Sequence, residues 1–142
     1  MKTLVSIDTA LLGHRLGYKK PTIHYIVKVS EDEWQTRVAY KKERGYIEIS
    51  NFIRVFFEYP HRPTLAQLQK WLRDTFKTFV WVSTEVKNNN ISYNCSIIIH
   101  KHKEHTKKKF KTYEKALDYG LSYSMEYLLD NNIDIKSVFN SS

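Results

Sequence analysis

Cysteine, proline and glycine are all scarce, at one, three and four of 142 residues. The lone Cys95 excludes an intramolecular disulfide and any zinc site built from several thiolates, and it suits a reducing compartment. Gly13 and Gly17 do not make a phosphate-cradling fingerprint. Long apolar runs are missing too. The start of the chain looks like a signal peptide, but Asp8, His14 and Arg15 interrupt it, and nothing approaches the roughly 20 apolar residues of a membrane span. A cytoplasmic protein with no membrane contact is the expectation.

Catalytic signatures are also absent. Serine, histidine and aspartate occur without a nucleophile elbow, a P-loop or a His-Glu-x-x-His helix. The carboxylates Glu31, Asp32 and Glu33 read as a solvated turn. His100, His102 and His105 lie in a strongly cationic run, a poor setting for a metal ion. No catalytic residue, metal or cofactor is therefore assigned, and the chain reads as a non-enzymatic binding protein.

Carboxylates are outnumbered, 15 against 23 lysines and arginines, for a formal net charge of +8. The excess is concentrated. Residues 100–111 carry six lysines against one glutamate, and residues 112–142 carry two lysines against five carboxylates. A concentrated positive field attracts phosphate-rich partners and speeds their encounter. Ten tyrosines, seven phenylalanines and three tryptophans supply rings for a core or for base stacking.

The length predicts one domain. Ile7, Ala10, Leu11 and Leu16 have helical spacing, and Gly17 is placed as a stop. Two β-like runs, 22–29 and 34–40, flank a polar loop at 30–33, and Glu43 to Gly45 forms a second turn. Strands follow at 46–49 and 52–59, with Asn51 as a break or bulge. Pro60 to Pro63 ends that block. Thr64 and Gln67 then have the spacing of a capping box, ahead of a helix with Leu65, Leu68, Leu72 and Phe76 on one face and Trp71 at its margin. Strands at 79–86 and 91–100 flank Asn88 to Asn90, a loop whose asparagines tolerate positive φ. A last helix runs from Thr112 to about Leu129, with Tyr113, Ala116, Leu117, Gly120, Leu121 and Leu128 as its apolar positions, and a tail that frays from about 131. The order is α-βββ(β)-α-ββ-α: an α+β domain in which helices pack on one antiparallel sheet of about five strands.

Two segments, 63–74 (Pro-Thr-Leu-Ala-Gln-Leu-Gln-Lys-Trp-Leu-Arg-Asp) and 110–121 (Phe-Lys-Thr-Tyr-Glu-Lys-Ala-Leu-Asp-Tyr-Gly-Leu), stand out with the opening residues 6–12. Together they resemble a group of small proteins, of no settled function, from tailed phages and prophages of gut Bacteroidetes. The resemblance implies an accessory role in the bacterial host's cytoplasm, of the anti-defence kind, in which an immune effector is blocked or its nucleotide signal sequestered.

Two binding readings follow. In the first, an anionic nucleotide is held by Arg62, Lys70, Arg73 and Lys77 with His61, while Tyr59 or Trp71 stacks the base, in a pocket that a homo-oligomer can complete. Lys70, Arg73 and Lys77 share a helical spacing, and Arg62 precedes a helix N-terminus, which favours anions. In the second, a flexible loop carrying Lys101, Lys103, Lys107, Lys108, Lys109 and Lys111 follows a nucleic-acid backbone.

Overall fold

The computed structural model describes residues 3–20, 24–38, 42–43, 46–47, 60–99, 102–106 and 108–134. Helices and antiparallel strand pairs make it an α+β protein. The chain divides into two compact units, Leu4–Thr64 and a second made of Met1–Thr3 with Leu65–Ser142.

In the first unit, helix α1 spans Ile7–Leu16. The Ser6 hydroxyl oxygen accepts from the Thr9 N–H at 3.2 Å, which satisfies one of the amides left open at a helix start. Asp8 in the first turn and His14 and Arg15 in the last complement the helix dipole. Gly17 stops the helix at φ 103°; its N–H donates to the His14 carbonyl and that of Tyr18 to Gly13, the paired bonds of a left-handed helix end.

Strands β1 (His24–Ser30) and β2 (Glu33–Val38) form an antiparallel hairpin with Ile26 opposite Thr36 and Lys28 opposite Trp34. Residues 60–63 contain the two prolines expected to end the strand block. They lie extended beside β1, with the Ile26 N–H donating to the Pro60 carbonyl at 3.0 Å and the Arg62 N–H to His24 at 2.9 Å. Proline suits such a flanking segment because its missing N–H leaves no ladder bond broken. The Val5 N–H then donates to the Pro63 carbonyl at 3.0 Å, which joins the start of the unit to its end. Two further short strands, β3 (Lys42–Glu43) and β4 (Tyr46–Ile47), pair with each other. The strand expected at 52–59, with its break at Asn51, lies outside the described residues.

The second unit runs helix α2 (Leu65–Phe76), strands β5 (Thr78–Lys87), β6 (Asn90–Ile99) and β7 (His102–His105), and helix α3 (Tyr113–Asp130). Leu65, Leu68, Trp71, Leu72 and Phe76 are the buried face of α2. Asn88 and Asn89 both have positive φ and form a two-residue turn, so that Lys87 pairs directly with Asn90. Thr112 caps α3 by accepting from the Lys115 N–H at 3.1 Å. Asn132, with φ 53°, closes it. Its N–H donates to the Leu129 carbonyl and that of Ile133 to Leu128, so the chain is still bonded just past 131, where fraying was expected.

The core lies between the helices and one face of the β5–β6–β7 sheet, where Val80, Cys95, Ile97 and Ile99 meet Leu117, Leu121 and Met125 in a buried cluster. Each such aliphatic side chain contributes about 1.5–3 kcal/mol on burial. Gly120 sets the distance: a Cβ there would come within 2.6 Å of Val80 Cγ1 and 3.1 Å of Cys95 Sγ. Tyr113, expected among the apolar positions of α3, is 45% exposed, while Ser124 and Met125 are buried.

A single sheet of about five strands is not seen among the described residues. Among the described residues the strands divide into β1–β2, β3–β4 and β5–β6–β7. Short polar turns specify each hairpin, but alternation alone does not specify which hairpin edges join.

Candidate nucleic-acid interface

Where it is described, the lysine-rich crossing forms a sheet edge, not the flexible loop expected. β7 pairs with β6 through Ile99 opposite His102, Ile98 opposite Lys103 and Ile97 opposite Glu104. The Thr106 N–H then donates to the Cys95 carbonyl at 3.0 Å, and Phe110 and Tyr93 exchange two backbone bonds at 2.7 and 2.9 Å. Between those contacts β6 advances from Cys95 only to Tyr93 while the edge advances from Thr106 to Phe110, so Lys108 and Lys109 stand in a bulge. Lys103, Lys108, Lys109 and Lys111 are exposed; Lys101 and Lys107 lie outside the described residues.

What holds this edge is a ladder of tyrosines on α3. Tyr119, Tyr123 and Tyr127 recur every four residues and so share one side of the helix. The Tyr127 ring stacks on His102 at 5.2 Å and 7°. The Tyr123 hydroxyl donates to the Glu104 carboxylate at 2.6 Å, a charge-assisted bond. Tyr119 packs against Phe110 at 5.0 Å, with the Lys108 ammonium 5.0 Å from the Tyr119 ring. These three tyrosines pin the edge from the core side. Glu104 pushes the Tyr123 hydroxyl up to about 12, because an ionised phenol would lose that bond and face a carboxylate.

The electrostatics favour an anion at this edge. Glu104, the crossing's one carboxylate, is tied to Tyr123 and to His102 at 3.5 Å. Lys109 pairs with Glu85 at 3.4 Å, but both side chains are about half exposed, and such a pair is worth little against a phosphate.

The residues expected to hold a nucleotide are distributed differently. Arg62 and His61 belong to the first unit, and Lys70, Trp71, Arg73 and Lys77 to the second. The Arg62 guanidinium donates from Nε to the Val5 carbonyl at 2.8 Å and from Nη1 to the Thr36 hydroxyl, so it ties together three segments of its own unit. His61 is buried. Lys70 and Arg73 both pair with Asp74, at 3.3 and 3.6 Å, and Lys70 foremost holds the Asp74 carboxyl below the usual carboxylate range. Lys77 leaves their row: α2 ends at Phe76, and Lys77 takes a left-handed backbone with φ 49°. Trp71 is 5% exposed and packs edge-on against Phe76 at 5.4 Å, so its face is used by the core. Tyr59 lies outside the described residues.

Two residues that sequence reading passed over belong to the candidate interface. Phe79 and Trp81 on β5 are 43% and 44% exposed, on the sheet face opposite Val80. In sequence, residues 79–82 are apolar throughout, a pattern that does not say which side of the strand meets solvent. The core lies on the Val80 side of the sheet, and Phe79 and Trp81 point away from it.

Among the described residues no group of three histidine, cysteine, aspartate or glutamate side chains can hold a metal ion, and no helix is long and apolar enough to cross a membrane. No family model, curated protein or solved structure matches the chain.

Proposed function

We propose that the protein is a non-enzymatic nucleic-acid-binding module whose β7 edge tracks a phosphate backbone. One observation carries this reading: Lys103, Lys108, Lys109 and Lys111 are exposed along an edge anchored to β6 on either side of the bulge, at residues 102–106 and at Phe110, while Glu104 is engaged by Tyr123. Ordering the cations before a partner arrives reduces the entropy that binding must offset. Displaced counterions then drive association, without regard to base sequence. The phage resemblance is consistent with an accessory role of this kind in a host cell.

The competing reading, a sequestered nucleotide or a blocked immune effector, has less to draw on. Its aromatic stacker Trp71 is buried, Lys70 and Arg73 share Asp74, and Arg62 serves its own unit.

Fluorescence anisotropy with labelled 20-nucleotide oligomers, single-stranded and duplex, tests the proposal over 50–300 mM salt. Replacing Lys103, Lys108, Lys109 and Lys111 by glutamine should weaken binding equally across base sequences. It should also flatten the plot of log K against log salt by roughly 3. Absence of binding at 50 mM salt, or an unchanged slope in the variant, refutes the reading. Tight binding of a mononucleotide that survives the four substitutions supports the competing one.

A further inference from the structure

We propose that the open face of the β5–β6–β7 sheet is a stacking platform for the bases of a single-stranded nucleic acid, with Phe79 and Trp81 as its rings. The inference rests on the nucleic-acid reading above and adds the class of ligand and the residues that select it.

Three observations converge on this face. Phe79 and Trp81 stand two positions apart on β5, so they share a side, and nearly half of each side chain is exposed. Two large rings left in water at consecutive outward positions forgo hydrophobic stabilisation that polar side chains there would not have offered. Beside Trp81 the cross-strand neighbourhood is low, with Trp81 opposite Ser96 and Ser83 opposite Asn94, while Phe79 lies opposite Ile98. The small side chains beside Trp81 leave a surface over which a flat base can lie.

Charge complementarity commits the occupant. One row of the sheet reads Phe79, Ile98, Lys103 across β5, β6 and β7. At about 4.8 Å per strand, the Lys103 backbone lies roughly 10 Å from that of Phe79. A base stacked on the Phe79 ring thus leaves its phosphate within reach of the exposed Lys103 ammonium. A protein partner fits less well, because interface centres are depleted in lysine and this row carries one beside the rings. Duplexes hide their base faces in the stack, whereas a single strand offers them, and stacking accepts any base.

The test uses the full chain with labelled dT12 and a 12-base-pair duplex. Phe79→Thr and Trp81→Thr remove each ring with a residue that strands accept, Trp81→Phe keeps a ring, and thermal melting checks that all three are folded. Each threonine variant should weaken dT12 binding about 5- to 150-fold, with Trp81→Phe within a few-fold of the parent. Bound dT12 should quench tryptophan fluorescence in the parent and much less in Trp81→Phe. If glutamine substitution of the edge lysines weakens dT12 binding while the threonine variants bind normally, the platform is refuted and the nucleic-acid reading survives. Equal affinity for the duplex, with threonine variants neutral, also refutes the platform. If no oligomer binds, both fall. Dissociation of a homo-oligomer by the threonine variants would instead make this face a contact between copies.

Discussion

Arg62 shows how a residue type with a functional reputation can be spoken for by its own fold. Its Nε donates to the Val5 carbonyl and its Nη1 to the Thr36 hydroxyl, so one guanidinium joins the first residues of the unit to its β-hairpin. The planar fork makes both bonds at once, which a lysine's single ammonium cannot. Arg62→Ala should lower unfolding free energy by about 1.5–3 kcal/mol, and Arg62→Lys should recover less than half of that. Urea denaturation of the purified variants measures it. An alanine variant as stable as the parent would return Arg62 to the pool of anion-binding candidates.

At the scale of the element, α3 is placed by Gly120 and holds β7 by its tyrosines. Gly120→Ala gains helix propensity worth about 0.5–1 kcal/mol, yet it drives a methyl into the branched Val80 side chain. Overpacking of that kind costs about 1–3 kcal/mol, so the variant should be net less stable by calorimetry. Two phenols, Tyr18 in the first unit and Tyr123 in the ladder, carry a pH signature. Burial pushes the Tyr18 hydroxyl up to about 12, and Glu104 pushes Tyr123 to the same value, against roughly 10 in an unfolded chain. Both phenols hold their proton more tightly when folded, so their contribution is whole below pH 10 and is lost as pH rises toward 12. The stability gap between the parent and Tyr123→Phe should therefore be present at pH 8 and shrink steadily above pH 10, read by urea melts across that range.

Elements were legible in sequence where a local rule fixed them. Gly17 ends α1, Asn88 and Asn89 turn the β5–β6 hairpin, and α3 begins beside Thr112, each for reasons contained in a few neighbouring residues. β7 was missed because His-Lys-Glu-His shows no apolar alternation; it is a strand through its backbone bonds to β6 and its side-chain contacts with α3. The exposure of Phe79 and Trp81 was equally invisible, since it depends on which side of the sheet the helices take. Trp71 was assigned to the margin of α2 and lies inside its buried face.

For the whole molecule, the division of the chain at Leu65 has a measurable counterpart. Arg62 and Gly120 lie in different units, and the partners named for them, Val5 and Thr36 for one and Val80 and Cys95 for the other, do not overlap. Their substitutions should add: the Arg62→Ala, Gly120→Ala double variant should lose the sum of the two single effects to within about 0.5 kcal/mol. A larger departure in denaturant melts would show that the two units are energetically coupled. The charge distribution also belongs to this scale. A basic edge and a last helix rich in carboxylates give the molecule a polarity that net charge alone conceals.

Close packing of α3 over the sheet also decides what can be attached to the protein. Cys95 is fully covered, and burial pushes its thiol up to about 11, so almost none of it is thiolate at neutral pH. A maleimide dye will pass over it in the folded chain. One cysteine introduced at the exposed end of the hairpin, Asn90→Cys for instance, then becomes a unique handle with the native thiol left in place. The chain is in effect ready for single-site labelling, and a fluorophore there can follow oligonucleotide capture without an engineered cysteine-free background.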